Sequence, residues 1–170
     1  LMIAALAKAG RVLGEEGYLE RARRAARFVL STLQDEEGLL EHRYREGTAG
    51  IAGKATDYAY LIWGLVELYQ STFETRWLER AISLTDTFLQ HYWDGDRGGF
   101  YFSPDFAEHP MGRQKQVRDA ARPSANAVAM WNLFRLGRLT GGGGLEKKAR
   151  QLGKAFYERA SGRPASVTMM

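Results

Sequence analysis

Two short segments of the sequence carry polar side chains at places where an α-helix would begin. Thr56-Asp57-Tyr58 opens one apolar run, and Ser124-Ala125-Asn126 opens another directly after Pro123. The first turn of a helix leaves backbone N–H groups unpaired, and Ser, Thr, Asp and Asn side chains accept hydrogen bonds from them. Capping explains one such residue in each segment. Asn126 is not needed as a cap and is a mediocre helix former, so it either faces a cavity or fixes a neighbouring loop.

A third polar segment, GRQKQVRDAARP at residues 112–123, precedes the second of these helices. If the two helices run in the same direction, their amino ends and this segment meet at one mouth, where the positive ends of the helix dipoles also converge. The sequence therefore predicts a set of candidate residues at this mouth. Asp57 and Asp119 are the candidate catalytic carboxylates, and Tyr58, Arg113, Lys115, Ser124 and Asn126 are the candidate ligand-binding residues. An ion pair within the loop, or a cap, remains the alternative explanation for each of them.

Two carboxyl groups near one mouth suggest glycoside hydrolysis. That reaction needs them roughly 5 to 5.5 Å apart for retention, or roughly 6.5 to 9.5 Å apart for inversion. Arg113 and Lys115 would favour the ionised form of both Asp57 and Asp119, which suits a binding site better than a general acid.

Isomerisation of a sugar would instead need a positioned base such as His, poised near neutral pH. His42 lies in a linker, His91 near the end of a helix, and His109 in a loop before Pro110. The sequence does not predict that any of the three is well placed for this chemistry, and His91 is expected to be a partly exposed helix-end residue.

Two other patterns are interpreted as structural. Asp94-Gly95-Asp96 lacks the further spaced oxygen ligands of a calcium loop, and Asp-Gly before a strand is ordinary turn chemistry. Most aromatic residues recur at helical spacing, which is typical of core packing. Tyr58 and Tyr60, at a helix start, are the aromatics best placed to stack on a sugar ring. We predict no metal site and no cofactor.

The composition excludes several classes of protein. The chain has 170 residues, of which 45% are hydrophobic, with no Cys and a net charge of +4. The absence of Cys excludes a disulfide framework, a thiolate metal site and thiol redox chemistry in this stretch. No apolar run reaches the roughly 18 to 20 residues that span a bilayer, and the amino terminus lacks a secretion signal. We therefore expect a soluble, cytoplasmic protein with no membrane partner.

Much of the positive charge lies in one segment, YLERARRAARFVL at residues 18–30. On a helix, Glu20 meets Arg24 one turn later, while Ala22 and Ala26 lie on an apolar stripe, so the arginines are predicted to form a solvated outer face. A nucleic-acid site would need stacking aromatics within such a patch. We predict no nucleic-acid partner.

An internal repeat organises the chain. ALAKAGRVLGEEGYLERA at residues 5–22 aligns without gaps on GLVELYQSTFETRWLERA at residues 64–81, and NLFRLGRLTGGGGLEKKA at residues 132–149 keeps the same frame. Each copy predicts an apolar inner helix, a short turn and an amphipathic outer helix. The inner helices are predicted at 1–13, 56–71 and 124–139, and the outer helices at 18–33, 76–93 and 145–160.

This alternation predicts an all-α arc of about three helical hairpins, with inner helices surrounded by outer ones. The repeat units are approximately residues 1–53, 54–122 and 123–163. Together they are expected to form a single partial domain that is truncated at both ends. The links GLLEHRYREG and GGFYFSPD predict small β-hairpins or extended loops. RPASVTMM at residues 163–170 resembles RPSANAVAM at 122–130, as if a further inner helix began there.

Several of these segments together resemble a known family. They are GKATDYAYLIWGLVELY at 53–69, WLERA at 77–81 with GGFYF after it, and RQKQVRDAARPSANAVAMWNLFRL at 113–136. They are similar to the carboxy-terminal helical domain of the thioredoxin-like family that includes the spermatogenesis-associated thioredoxin-like proteins. The resemblance covers almost the whole chain. It implies a fragment of an (α/α)6 toroid, similar to the N-acylglucosamine 2-epimerases and many glycosidases, joined in one polypeptide to a thioredoxin-like domain.

The family's motifs fall on residues already singled out. Its DYA motif matches Asp57, Tyr58 and Ala59, its PS-x-N motif matches Pro123, Ser124 and Asn126, and its R-x-K with a following Asp matches Arg113, Lys115 and Asp119. The chain departs from the pattern at Ala125, where Gly is usual, at Thr56, where an acidic residue is common, and at Gln116, where an Asp often follows. These departures weigh against a second carboxylate beside Asp57.

Two functions fit the sequence. In the first, the mouth binds or processes a sugar-like or other polar small molecule, as a carbohydrate-active isomerase or hydrolase would. In the second, the helices are a non-enzymatic scaffold or interaction module that positions the thioredoxin-like domain. The first predicts an open polar mouth, and the second predicts a plugged ring centre with an interacting outer surface; the fold alone does not choose between them.

Overall fold

The computed structural model describes residues 1–110 and 112–162, which form six α-helices and one two-stranded sheet. The helices are α1 (Met2–Leu13), α2 (Glu16–Thr32), α3 (Ala55–Thr72), α4 (Thr75–Tyr92), α5 (Ala125–Thr140) and α6 (Gly143–Gly162). Strands β1 (Glu41–Arg45) and β2 (Thr48–Ala52) lie between α2 and α3. The predicted all-α hairpins are confirmed, with helix ends shifted by a few residues. Residues 163–170, where the sequence predicts a further inner helix, lie outside the described residues.

The helices are arranged in two layers. α3 packs between α1 and α5, while α2, α4 and α6 each pack behind the inner helix of their own hairpin. Ala22, Ala81 and Ala149 occupy the same repeat position in the three outer helices and are all completely buried. This shared burial confirms the alignment of the repeats, because a small side chain at that position lets each outer helix approach its inner helix closely.

α3 is the central element, as its nearly continuous apolar sequence predicts. Of its 18 residues, 12 are buried. A Cβ atom at Gly64 would lie 2.9 Å from Cγ2 of Ile3, so the glycine permits the close approach of α1 to α3. The position of α3 fixes where its polar first turn points.

The outer face of α2 differs from the prediction in one respect. Arg23, rather than Arg24, pairs with Glu20, at 2.7 Å, and Arg23 also bonds Glu74 in the turn before α4, at 2.6 Å. Only 15% of the Arg23 side chain is exposed. This arginine therefore joins two hairpins instead of lying on a solvated face, and the sequence cannot indicate that contact because Glu74 is 51 residues away.

The two linkers between hairpins have different structures. The first contains the predicted β-hairpin, in which Arg43 pairs with Gly50 across an antiparallel ladder. The second runs from Trp93 to Ser124, and its described part is an extended loop with one β-bridge, between Trp93 and Phe100. None of the described helices combines the length and apolar character needed to cross a lipid bilayer.

Candidate functional site

The amino ends of α3 and α5 lie on the same side of the protein, which we call the mouth. Tyr60 Oη donates to Pro123 O near the start of both helices, and Arg135 Nη1 bonds Glu67 Oε1 further along both. The two helices therefore run in the same direction. The second linker crosses their amino ends, because Phe102 O accepts from the backbone N–H of Ala55 at 2.9 Å.

Asn126 holds this linker in place. Its Oδ1 accepts from the backbone N–H of Phe100 at 2.7 Å, and its Nδ2 donates to Phe100 O at 3.0 Å and to Gln116 O at 2.8 Å. Only 1% of the residue is exposed. Of the two explanations for Asn126, the hydrogen bonds favour the fixed loop: both N–H groups of the amide and its oxygen bind the linker backbone, and a bound ligand would have to compete with that backbone for them.

Ser124 and Asp119 form hydrogen bonds that stabilise the start of α5. Ser124 Oγ accepts from the backbone N–H of Ala127 at 3.2 Å, as an N-cap, and Asp119 Oδ1 accepts from the backbone N–H of Ser124 at 2.7 Å. Asp57 lies within the first turn of α3, and its Oδ2 accepts from the backbone N–H of Lys54, the residue before that helix, at 2.7 Å. Each of the two predicted catalytic carboxylates therefore binds the backbone N–H of the residue that precedes an inner helix, Asp57 from within the helix and Asp119 from the linker.

Tyr58 lies in the core, which corrects its expected position at the mouth. The residue is completely buried, its ring stacks on Phe88, and its hydroxyl accepts from the backbone N–H of Leu40 at 2.9 Å. Burial raises the pKa of the Tyr58 hydroxyl. Tyr60, the other predicted stacking residue, is 9% exposed and uses its hydroxyl to bind Pro123.

The structure brings His42 to Asp57, which sequence reasoning missed. His42 lies on β1, and its Nδ1 is 2.7 Å from Asp57 Oδ2. The side chains are 45% and 27% exposed, respectively. The only signal in the sequence is that a strand so close to a helix start can fold back over it; the pairing itself depends on how the first linker closes.

Lys115 belongs to a charged cluster around Asp94. Its ammonium donates to Asp94 Oδ2 at 2.7 Å and to Gly98 O at 2.5 Å, and Tyr101 Oη donates to the same carboxylate oxygen at 2.8 Å. Burial opposes ionisation of Asp94, but the hydrogen bonds from Lys115, Tyr101 and the turn amides outweigh it and hold the pKa of that carboxyl well below its usual range. Asp94 Oδ1 accepts from the backbone N–H groups of Asp96 and Arg97, so the structure agrees with the interpretation of Asp94-Gly95-Asp96 as a turn.

Arg113 lies beside this cluster. Its Nη2 donates to His91 O at 2.6 Å and to Ser103 O at 3.0 Å, and its guanidinium carbon lies 4.2 Å from the centre of the Tyr101 ring. These contacts tie the linker to the carboxy end of α4. His91 is itself partly exposed, as expected of a helix-end residue.

An open cavity of about 510 Å³ lies between the second linker and α6. We call it the cationic cleft. It is lined by Asp94, Arg97, Tyr101, Arg113, Gln114 and Lys115 from the linker, and by Ala155 and Phe156 from α6. It therefore contains two of the predicted ligand-binding residues, Arg113 and Lys115.

A second charged cluster lies deeper along the inner helices and was also missed. Glu67 is 5% exposed and accepts from Arg135 at 2.8 Å, from Trp63 Nε1 at 3.3 Å and from Arg11 at 3.5 Å. Arg135 also donates to Gln70. Because Arg11, Glu67 and Arg135 come from α1, α3 and α5, this cluster joins all three inner helices.

The arrangement of parallel inner helices behind a layer of outer helices is that of part of an (α/α)6 toroid. Among solved structures, the cellobiose 2-epimerase from Bacillus thermoamylovorans superposes with a TM-score of 0.74 at 19% identity, over 92% of this chain and 42% of that one. A GH76 α-mannanase from Bacteroides thetaiotaomicron gives a TM-score of 0.73 at 13% identity, over 93% of this chain and 42% of that one. At these identities the likeness establishes the fold alone, and the predicted toroid fragment is confirmed.

The chain is also similar in sequence to spermatogenesis-associated protein 20. It is 35% identical to the Mus musculus protein over 182 residues and 34% identical to the Homo sapiens protein over 182 residues. Both matches cover 100% of this chain and 23% of the relative. The chain thus spans about a quarter of the length of the curated relatives it matches. The resemblance to the helical domain of that family is confirmed. No family model matches the chain.

Proposed function

We propose that the mouth binds a sugar-like polar small molecule that carries an anionic group, and that the cationic cleft is the binding site. The charge of the cleft carries the proposal. Arg97, Arg113 and Lys115 line it, against a single carboxylate, Asp94. A cavity of about 510 Å³ also falls within the usual size of small-molecule sites, roughly 300 to 1,000 Å³.

Several hydrogen-bond donors in the cleft remain for a ligand. The Lys115 ammonium has three N–H bonds, and its hydrogen bonds to Asp94 and Gly98 use two of them. Nε and Nη2 of Arg113 bind backbone carbonyls, whereas Nη1 has no hydrogen-bond partner within the described residues. The exposed side chain of Arg97 adds a third cation at the rim. Such a set favours a carboxylate or phosphate group.

The sugar-like part of the proposal is supported by the fold. The two similar solved structures are those of a cellobiose 2-epimerase and an α-mannanase. A carbohydrate isomerase or hydrolase activity in this chain is accordingly part of the proposal.

Calorimetric titration of the full-length protein with glucose 6-phosphate, glucuronate and glucose tests the proposal. We expect the two anionic sugars to bind and glucose to bind more weakly. Arg97→Gln should weaken the anionic sugars about 2- to 5-fold, as expected for a partly screened charge pair. Arg118→Gln, in the same linker but outside the cleft, makes the same change of charge and should leave binding unchanged. Binding of none of the three sugars, or equal weakening by both variants, refutes the proposal.

A second candidate function is an interaction module for the thioredoxin-like part of the same polypeptide. Phe73 favours it. Phe73 is 77% exposed and has a left-handed backbone, with φ of 55°, at the repeat position where Gly14 and Gly141 have φ of 70° and 69°. A bulky residue in that conformation costs free energy, and an exposed aromatic side chain is the type of residue that anchors protein interfaces.

Cross-linking with mass spectrometry in the full-length protein tests this second candidate. Phe73→Gly suits the left-handed backbone and should reduce the cross-links between the α3–α4 turn and the thioredoxin-like part. Tyr157→Ala removes a similarly exposed aromatic residue, 70% accessible, from another face and should not change them. Unchanged cross-links in Phe73→Gly rule out this interface.

A further inference from the structure

We propose that His42 and Asp57 form a proton-transfer pair at the mouth, in which Nε2 of His42 accepts a proton from a hydroxyl group of a bound polyhydroxy molecule. That this molecule is sugar-like rests on the function proposed above; its contact with His42, outside the lining of the cationic cleft, is part of the present proposal. The pair itself does not, because it is built from β1 and α3 and neither residue lines the cationic cleft.

The carboxylate determines which nitrogen of His42 carries the proton. Nδ1 lies 2.7 Å from Asp57 Oδ2, and a carboxylate oxygen only accepts hydrogen bonds, so Nδ1 is the donor. In the neutral imidazole, Nε2 is then left with its lone pair as a proton acceptor. Asp57 is itself held by the backbone N–H of Lys54, at 2.7 Å, in the first turn of α3. The imidazole is thus oriented through a rigid helix end.

The free nitrogen of His42 is accessible. The side chain is 45% exposed, and within the described residues Nε2 has no hydrogen-bond partner. His91 makes a similar pair with Asp105, at 2.9 Å, but its side chain is 21% exposed and packs edge-on against Phe106. His109 Nε2 is bonded to a backbone carbonyl, Pro104 O, at 2.6 Å, and not to a carboxylate. Among the three histidines, therefore, His42 best combines an orienting carboxylate with an accessible second nitrogen.

The pair can move one proton without any further reactant. A ligand O–H bond breaks as its proton joins Nε2, the oxygen keeps the electron pair, and the imidazole becomes an imidazolium whose positive charge faces Asp57. Return of the proton from Nε2 restores both partners. A base oriented in this way by a carboxylate is the arrangement that general acid–base catalysis uses.

The reactivity of His42 can be measured in the full-length protein without a ligand. Diethyl pyrocarbonate acylates the unprotonated nitrogen of an accessible imidazole, and mass spectrometry gives the rate at each histidine. We expect His42 to react faster than His91. In alkaline buffer, where imidazole groups are neutral, Asp57→Asn should slow His42 roughly fivefold, the ratio that one hydrogen bond of ordinary strength maintains between two tautomers. Asp105→Asn is the matched control and should change the rate at His91 alone.

A second measurement requires no variant of Asp57, which also caps α3. In protein labelled with ¹⁵N only at histidine, with His42→Gln used for assignment, neutral His42 should carry its proton on Nδ1. A proton on Nε2 overturns the proposal, and so does an unchanged acylation rate at His42 in a folded Asp57→Asn protein. Because neither measurement involves the cationic cleft, failure of anion binding and failure of the pair are distinguishable.

Discussion

Replacing Asn126 by Ala should destabilise the mouth while leaving the helices folded. The Asn126 side chain accepts one backbone hydrogen bond, from Phe100, and donates two, to Phe100 O and Gln116 O. Only 1% of the residue is exposed, so little water reaches these groups when the amide is removed. The substitution leaves one donor and two acceptors of the linker unpaired.

The magnitude follows from those three groups. A buried polar group that loses its partner costs about 1 to 3 kcal/mol, and local relaxation of the linker recovers part of the total. We therefore expect Asn126→Ala to cost about 3 to 5 kcal/mol in the stability of the linker. The backbone N–H of Phe100 loses its acceptor directly, so its hydrogen exchange should become faster by roughly 150- to 5,000-fold, the fold-change that about 3 to 5 kcal/mol corresponds to.

Hydrogen exchange read by mass spectrometry on the peptide that contains Phe100 is the assay. Asn132→Ala is the control, since Asn132 is also buried in α5 but donates one hydrogen bond to Ala59 O in α3, away from the linker. It should lower the global stability by about 1 to 2 kcal/mol and leave exchange at Phe100 unchanged. If exchange at Phe100 changes by less than about threefold in Asn126→Ala, the structural role assigned to Asn126 is refuted.

Three other perturbations test separate parts of the structure. Glu67→Ala leaves Arg135 without its buried partner and should lower the free energy of unfolding by about 3 to 5 kcal/mol in urea titrations. Glu46→Ala breaks the exposed ion pair between Glu46 and Arg45 and should cost only about 0 to 1 kcal/mol. Asp94→Asn should be destabilising at neutral pH. Since folding lowers the pKa of Asp94, its contribution is present above the unfolded carboxyl pKa of about 3.9 and is lost as the pH falls through the lower folded value, so the two proteins should converge only in strong acid. Phe73→Gly should raise the melting temperature by relieving the left-handed backbone, a net gain of about 0.5 to 1 kcal/mol.

Each of these three predictions has an outcome that contradicts it. Equal losses in Glu67→Ala and Glu46→Ala would mean that the inner-helix cluster is as well solvated as a surface pair. A constant difference between wild type and Asp94→Asn from pH 7 down to about pH 5, followed by a gradual decline in more acidic solution, is expected; a difference that has already vanished near pH 5 contradicts the lowered pKa of Asp94. A lower melting temperature for Phe73→Gly would show that the side chain stabilises the turn more than its conformation strains it.

The sequence by itself determined the repeat, the three hairpins and the division into inner and outer helices. These properties depend on the spacing of apolar residues over one or two helical turns, and that spacing can be read directly from the sequence. The buried alanine at the same repeat position of all three outer helices, exemplified by Ala81, follows from the same pattern. The caps at Asp57 and Ser124 are local too, since each contacts the backbone three residues away.

The tertiary structure alone decided what the polar residues do. Asn126 meets Phe100 across 26 positions, His42 meets Asp57 across 15, and Arg135 meets Glu67 across 68. Each contact depends on how a linker closes or how two helices pack, and a hydrogen bond exists only within a few tenths of an ångström of its ideal length. Apolar side chains still pack when a helix shifts by a few tenths of an ångström, so their spacing in the sequence is enough to predict the helices. A hydrogen bond between polar side chains is lost by such a shift, so these contacts are known only from the tertiary structure.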